Sequence, residues 1–526
     1  MFEYPHYERH IYSTLNEMVN TTVKNCGDKV CYEFWENRKI ASRTFNEVYS
    51  DMCAFIAFLK ANNLIGKHIA LIGKTSYEWI VAFWGIVTSG GVAVPIDKEL
   101  DRDSVLEQLE FADVCAVVYD NAYAETVDCF KSKTNAVTLG LENDMIAYVN
   151  SIEGKPSEIA NDISPDTPAI ISFTSGTSGK SKAVYLSQQN VAASTSCAAA
   201  SVDVPEGTKA MATLPINHMF EIVISVTCSM YFGSTLCLND SLRNLKKSLL
   251  KFKPTRTAVV PMFIEAFYKE IKEGVKKKHI TALFAVMRGI SLLLKKFNID
   301  ISRKLFKSVL EQFGGNLATL ICGGAFIDES RIKFFDSIGI TIDQGYGITE
   351  CAPVVAVQTD RYSKKGAVGK ILPCCEVKIV DGEIAVKGTN VMIGYYKNPE
   401  LTNEVLVDGW FFTGDVGSVD DEGYLYLTGR KKNLIILSNG ENVSPEELEL
   451  KLQDIEEIAE IVVYGENDKI CAEIYYGEKN EETENVIKNK VSQCIKNWPI
   501  YKQIQTIKFR YTEFDKTTTR KIKRGN

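Results

Sequence analysis

The stretch with the densest capacity for chemistry runs Ile171-Ser172-Phe173, then Thr174-Ser175-Gly176-Thr177-Ser178-Gly179-Lys180-Ser181-Lys182. A strand-like run opening into a Gly/Ser/Thr/Lys loop offers backbone N–H groups, hydroxyls and ammonium ions, a donor set suited to a polyphosphate. It is not a Walker A loop, because G-x-x-x-x-G-K-[ST] ending at Gly179-Lys180-Ser181 needs glycine where Thr174 stands. A plain surface loop would share this composition, so the stretch takes its meaning from the motifs downstream of it. These are, in chain order, Gly323-Gly324-Ala325, Gln344-Gly345-Tyr346-Gly347-Ile348-Thr349-Glu350, Thr413-Gly414-Asp415, Gly429-Arg430 and, near the end, Lys521 in TTTRKIKR. Glycines let backbone approach a ligand closely. An ionised Asp415 accepts only, which suits a pair of hydroxyl donors, and Glu350 is an oxygen ligand for a hard cation.

This ordered set resembles the adenylate-forming superfamily of acyl-CoA synthetases, luciferases and peptide-synthetase adenylation domains, over almost the whole chain. The resemblance implies that Thr174 to Lys182 hold the β- and γ-phosphates of ATP and that Gly323, Gly324 and Ala325 border the adenine. It further implies that Gln344 hydrogen-bonds the base, that Tyr346 stacks on it between Gly345 and Gly347, that Thr349 contacts the α-phosphate and that Glu350 binds Mg2+. Asp415 matches the ligand of the ribose hydroxyls, with Arg430 assisting at the ribose and phosphates. When a carboxylate attacks the α-phosphorus two anions must meet, and a positioned ammonium stabilises the charge that develops; the register after Thr517 matches the family's closing signature and gives that role to Lys521. The family's small C-terminal domain then rotates to admit a thiol. Lys432 occupies the hinge position, and Ser438-Asn439-Gly440 matches the segment beside the pantetheine channel.

The segment LPINHMFE, containing His218, resembles long-chain acyl-CoA synthetases, as do GRKKNLIILSNGENVSPEELE and the long insertion after Val260-Pro261. The expectation is therefore an acid–thiol ligase that makes a fatty acyl-AMP and passes the acyl group to CoA, with His218 near the acid's carboxylate. The alternatives are delivery to an acyl carrier protein and a non-catalytic nucleotide-binding protein of the same fold. The sequence departs from the family pattern at Ser181, Ala183, Asn433 and Arg520, none of which removes a reacting group.

These residues need elements to hold them. From about residue 40 to 240, runs such as HIALIG, VCAVVYD, AIISFTS and STLCL alternate with helical stretches such as EVYSDMCAFIAFLKANN, the pattern of a parallel sheet with crossover helices. A second α/β cycle has TAVVP and ATLICGG as strands around a helical block from Met262 to Phe313. After Gly366, short strands between Gly turns predict a small β-rich subdomain, and beyond Arg430 a compact α+β unit follows. The expected fold is thus an α/β N-terminal domain, residues 1–429, with layered subdomains, and a small mobile α+β domain, 430–526.

At 526 residues the chain exceeds what one core normally organises. A net charge of −7 gives no footprint for nucleic acid. None of the fourteen cysteines forms C-x-x-C and the five histidines form no H-E-x-x-H, so metal chemistry is expected to use oxygen ligands. The start MFEYPHYERHIY has no secretory pattern, and the apolar run Ile80 to Val87 is far short of a membrane span, so a cytoplasmic location is expected. Between Lys269 and Lys307, however, eleven Lys or Arg face three acidic residues around LFAVMRGISLLLKKF. A basic amphipathic helix of this kind suits peripheral contact with an anionic membrane.

Overall fold

A computed structural model describes residues 7–142, 145–156, 158–174, 181–324, 327–359, 361–438, 441–516, 522 and 524. The first sheet has seven strands, in the order Gly394–Tyr395, Lys182–Ser187, Pro168–Thr174, Val92–Ile96, His68–Ile72, Ala116–Tyr119, Val137–Gly140. Its middle is parallel, with His68–Ile72 between Val92–Ile96 and Ala116–Tyr119. Buried on both faces, these strands read as continuous apolar runs rather than alternations. The helices Phe45–Ala61 and Tyr77–Thr88 cover it; the second buries Trp79, Phe83 and Trp84 completely. Each helix begins where the sequence supplies a cap: the Thr44 side chain accepts from the Glu47 N–H and Glu47 reaches back to Thr44, while Ser76 accepts from Trp79. At one edge Pro168–Thr174 and Lys182–Ser187 pair antiparallel with Thr174 opposite Lys182, so the two ends of the Gly/Ser/Thr loop are held side by side.

The second sheet has fourteen strands. Its parallel part contains Thr235–Leu238, Lys209–Ala212, Arg256–Val259, Thr319–Cys322 and Thr341–Gly347. STLCL therefore belongs to this sheet, not to the one carrying HIALIG, and Val30–Glu36 from far upstream lies parallel beside it. The antiparallel strands after Gly366, including Cys375–Val380, Glu383–Gly388, Trp410–Val419 and Tyr424–Arg430, form the expected β-rich part. They continue the same sheet through Thr341–Gly347, which pairs with Val354–Val357.

The helical block after Val260 divides into Pro261–Lys277 and Thr281–Lys295 followed by short turns, broken where His279 and Asn298 take positive φ. The C-terminal region has its own core around Val443, Leu448, Val463, Ile474 and Ile487, built from a three-stranded sheet with the helices Pro445–Leu452 and Glu481–Ile495.

Candidate active site

The ends of the parallel strands, the Gly-rich turns and the C-terminal unit enclose one cleft of ≈ 3440 Å³. A site for one small ligand takes roughly 300–1,000 Å³, so there is room for several substrates at once. Thr174, Lys182, His218, Gly323, Gly324, Gln344, Gly345, Tyr346, Gly347, Thr349, Glu350, Asp415, Arg430 and Lys432 all line it. Ser175, Gly176, Thr177, Ser178, Gly179, Ala325, Gly440 and Lys521 lie outside the described residues. Lys516, Ile522 and Arg524, on either side of Lys521, line the same cleft.

Asp415 and Arg430 face each other across two adjacent strands. Asp415 is buried; its carboxylate Oδ1 pairs with Arg430 Nε at 2.8 Å and its Oδ2 accepts from the Tyr346 hydroxyl at 2.6 Å. Burial, and then the Asp415 charge, hold the Tyr346 phenol well above its ordinary pKa, so it stays a donor. The ring of Tyr346 is thereby pinned by its hydroxyl. The turn before Asp415 is braced by a residue that no sequence motif singled out. Glu383, nearly buried, accepts from the Gly414 N–H at 2.9 Å, where Gly414 has φ +72°, and pairs with Lys431 at 2.7 Å.

Glu350 sits on a short 3₁₀ turn, Thr349–Cys351, and is buried. Its Oε1 accepts from the Tyr395 hydroxyl at 2.8 Å. Tyr395 lies on the edge strand beside Lys182–Ser187, and the Lys182 ammonium stands 5.1 Å from the centre of its ring. Burial, reinforced by the Glu350 charge, raises the Tyr395 phenol. Tyr395 likewise escapes a reading of the sequence; no spacing rule links it to a carboxylate 45 residues earlier.

The glycines divide into two kinds. A Cβ on Gly323 would meet the ring of Phe220 at 3.0–3.5 Å, and Gly324 has φ +84°. A Cβ on Gly347 would lie 2.2 Å from the Pro353 carbonyl oxygen, so the backbone itself demands glycine there, whatever binds nearby. Phe220 belongs to the His218 segment, which the Glu221 side chain anchors from beneath: fully buried, it accepts from the Thr213 N–H at 3.0 Å.

Cations converge on one side. Burial and then the charges of Arg430, Lys182 and Arg524 depress the Lys432 ammonium below its ordinary pKa. Arg524 is held by Glu449 at 2.5 Å and by the Val463 carbonyl at 3.0 Å. Burial pushes the Glu449 carboxyl up to about 7 against the opposing pull of Arg524. Four positive groups thus lie within electrostatic reach of one another, two of them paired with Asp415 and Glu449, and this side of the cleft suits an anion.

Residues 19–396 match the family of AMP-binding enzymes. The long-chain-fatty-acid–CoA ligase FadD15 of Mycobacterium bovis is 29% identical over 432 residues, covering 76% of this chain and 71% of that protein. The chloroplastic long-chain-fatty-acid–[acyl-carrier-protein] ligase AEE15 of Arabidopsis thaliana is 28% identical over 533 residues, covering 82% and 72%. Among solved structures, the anthranilate CoA ligase AuaEII in complex with anthranoyl-AMP superposes with a TM-score of 0.80 at 18% identity, over 98% of this chain and 96% of that one.

Proposed function

This chain belongs to the AMP-binding enzyme family, and we propose that it is an ATP-dependent acid–thiol ligase that converts a fatty carboxylic acid to its acyl-AMP and then to the CoA thioester. One observation carries the reading: a buried Asp415 held by Tyr346 and Arg430, a buried Glu350 held by Tyr395, and the cations Lys182, Arg430, Lys432 and Arg524 line one cleft.

In the first half-reaction a carboxylate oxygen bonds to the α-phosphorus of ATP and the bond to pyrophosphate breaks. Asp415 takes the ribose hydroxyls, the Tyr346 ring lies against the base, and the cationic side of the cleft takes the phosphates. Glu350 suits a hard cation. Among the described residues no three His, Cys, Asp or Glu side chains cluster to hold a metal by themselves. Mg2+ ordinarily takes one or two carboxylates and completes its shell with substrate phosphates, so a single buried carboxylate fits. Such an ion neutralises phosphate charge when bound. Lys521 is proposed to bridge the two reacting anions and His218 to orient the acid's carboxylate. In the second half-reaction the thiol sulfur bonds to the acyl carbon, AMP leaves, and the thiol proton passes to solvent. A division between 1–429 and a mobile 430–526, pivoting at Lys432, allows Lys521 to be exchanged for the thiol channel beside Gly440.

Incubation with ATP, Mg2+ and a panel of acids, following pyrophosphate release and thioester formation on CoA and on carrier protein separately, tests this. Pyrophosphate release abolished in Lys521→Ala, with ATP binding retained, is the expected result. Thioester on carrier protein alone overturns the CoA assignment, and no pyrophosphate with any acid overturns the ligase. A second reading, an acid with a polar far end, is favoured by Arg256 and Asp343: both line the cleft and pair at 3.6 Å across the intervening strand Thr319–Cys322.

A further inference from the structure

The helix Thr281–Lys295 has two apolar faces, and only one is covered. Phe284 and Ser291 are buried against the helix Glu329–Ser337. Arg288 donates from Nε to Ser337 at 2.7 Å and lies over the Phe334 ring, and Lys295 pairs with Asp336 at 2.6 Å. The helix is thus fixed to the body of the protein. Its other face carries Leu283, Val286, Ile290 and Leu293, continued by Phe297 one residue beyond the cap; these are 57, 59, 46, 55 and 68% exposed. At about 100° per residue the five fall within an arc of roughly 80°. Singly exposed apolar residues are common, but a stripe of five large ones on a firmly seated helix marks a contact surface.

We propose that this face lies on an anionic lipid bilayer, inserted among the headgroups. The charges select that occupant. Between Glu273 and Asp300 there is no acidic residue, while Lys276, Lys277, Lys278 and Lys296 are basic, besides Arg288 and Lys295, which are held against the body, in a chain whose net charge is −7. The three consecutive lysines at the start of the stripe and Lys296 at its end are exposed. A basic, apolar-striped helix is attracted to anionic headgroups and buries its stripe below them. None of the helices among the described residues is long and apolar enough to cross a membrane, so the helix lies along the surface. The cleft is lined as far as Lys276 and Thr281, at the N-terminal end of this helix. Docking therefore sets the edge of the cleft at the layer in which apolar acids dissolve, a consequence that rests on the function proposed above.

The test is flotation of the full chain with phosphatidylcholine vesicles containing phosphatidylglycerol, against vesicles of phosphatidylcholine alone. Binding to the first, weakened by salt, is expected. Leu283→Ser, Ile290→Ser and Phe297→Ser combined are expected to lower it at least about tenfold, as are Lys277→Gln, Lys278→Gln and Lys296→Gln combined, three exposed lysines that do not line the cleft. Both variants keep the wild-type melting temperature and pyrophosphate release with a water-soluble acid, because every changed side chain is exposed. Wild-type protein that floats with neither vesicle overturns the proposal, as does equal flotation of the serine variant. Light scattering that shows a wild-type dimer reduced to a monomer by the serine changes, without vesicle binding, assigns the face to a second copy and likewise overturns it. Vesicle binding without pyrophosphate release from any acid leaves the docking intact and removes the ligase; release without vesicle binding does the reverse.

Discussion

Replacing Glu221 by glutamine removes a buried ionisation and almost nothing else. The side chain is fully buried beneath the His218 segment, and burial pushes its carboxyl from the ordinary 4.5 up to about 8, opposed by the nearby Ser225 hydroxyl and the backbone of Leu214 and Thr213. Oε1 accepts from Thr213, whereas Oε2 has no partner at hydrogen-bonding distance among the described residues. A glutamine amide group would stand where a protonated Oε2 stands, so the comparison isolates the charge. For an acid whose folded value is raised, the stability contribution is complete below the unfolded value and disappears as pH rises through the folded one. Wild-type protein should therefore lose stability between about pH 4.5 and 8, and the variant should not lose this part. At pH 7 the interval from the unfolded value is about 2.5 pH units, which at ~1.4 kcal/mol per unit makes Glu221→Gln more stable by roughly 3 kcal/mol. Below pH 5 the advantage shrinks to less than about 1 kcal/mol, and above pH 8 it approaches about 5. For a cooperative unit of about 430 residues, with roughly 2.1 cal/mol/K of unfolding entropy per residue, 3 kcal/mol corresponds to about 3 °C in Tm. Thermal melts of both proteins from pH 5 to 8.5 measure it. A pH-independent difference, or a variant less stable at pH 8, would show that Glu221 is ionised and satisfied in the fold.

Tyr395→Phe removes the 2.8 Å hydrogen bond to Glu350 and keeps the ring that faces Lys182. A hydrogen bond to a buried charge is worth about 1.5–3 kcal/mol, so pyrophosphate release at limiting Mg2+ should fall roughly 10- to 100-fold, with partial recovery as Mg2+ is raised; an unchanged Mg2+ dependence would detach Tyr395 from metal binding. Gly347→Ala drives a methyl group onto the Pro353 carbonyl and should destabilise the fold by about 2–3 kcal/mol or more. Gly345→Ala, whose Cβ would stop 3.4 Å from the nearest atom, should cost less than about 1 kcal/mol, and equal melting temperatures for the two would refute the distinction.

Many of the residues that line the cleft were legible in the chain as candidates because the chemistry that marks them is local. Asp415 and Arg430 each sit in a short Gly-containing segment whose residue types suffice to suggest their ligands, and the loop from Thr174 to Lys182 carries its donors in consecutive positions. The strands were legible for a similar reason: HIALIG and AIISFTS are too apolar to be anything but buried, and Thr44 with Glu47 writes a helix start in four residues. Sequence spacing also separated the charged insertion from its surroundings, and the exposed stripe from Leu283 to Phe297 follows from helical periodicity.

What local pattern could not supply was partnership between distant residues. Val30–Glu36 joins Thr235–Leu238 across some two hundred positions, and STLCL enters the second sheet rather than the first, because strand order depends on which apolar faces cover each other. Tyr395 reaches Glu350, and Glu383 braces Gly414, only because separate strands arrive with the right register. Gly347 has the look of a ligand-contact glycine in the sequence and proves to be required by the Pro353 backbone. Residue type and spacing determined which groups could meet a nucleotide. Their distances, their charge states and the supports that hold them were decided by packing, since burial sets the pKa values and close approach sets the hydrogen bonds, and neither exists until the chain has folded.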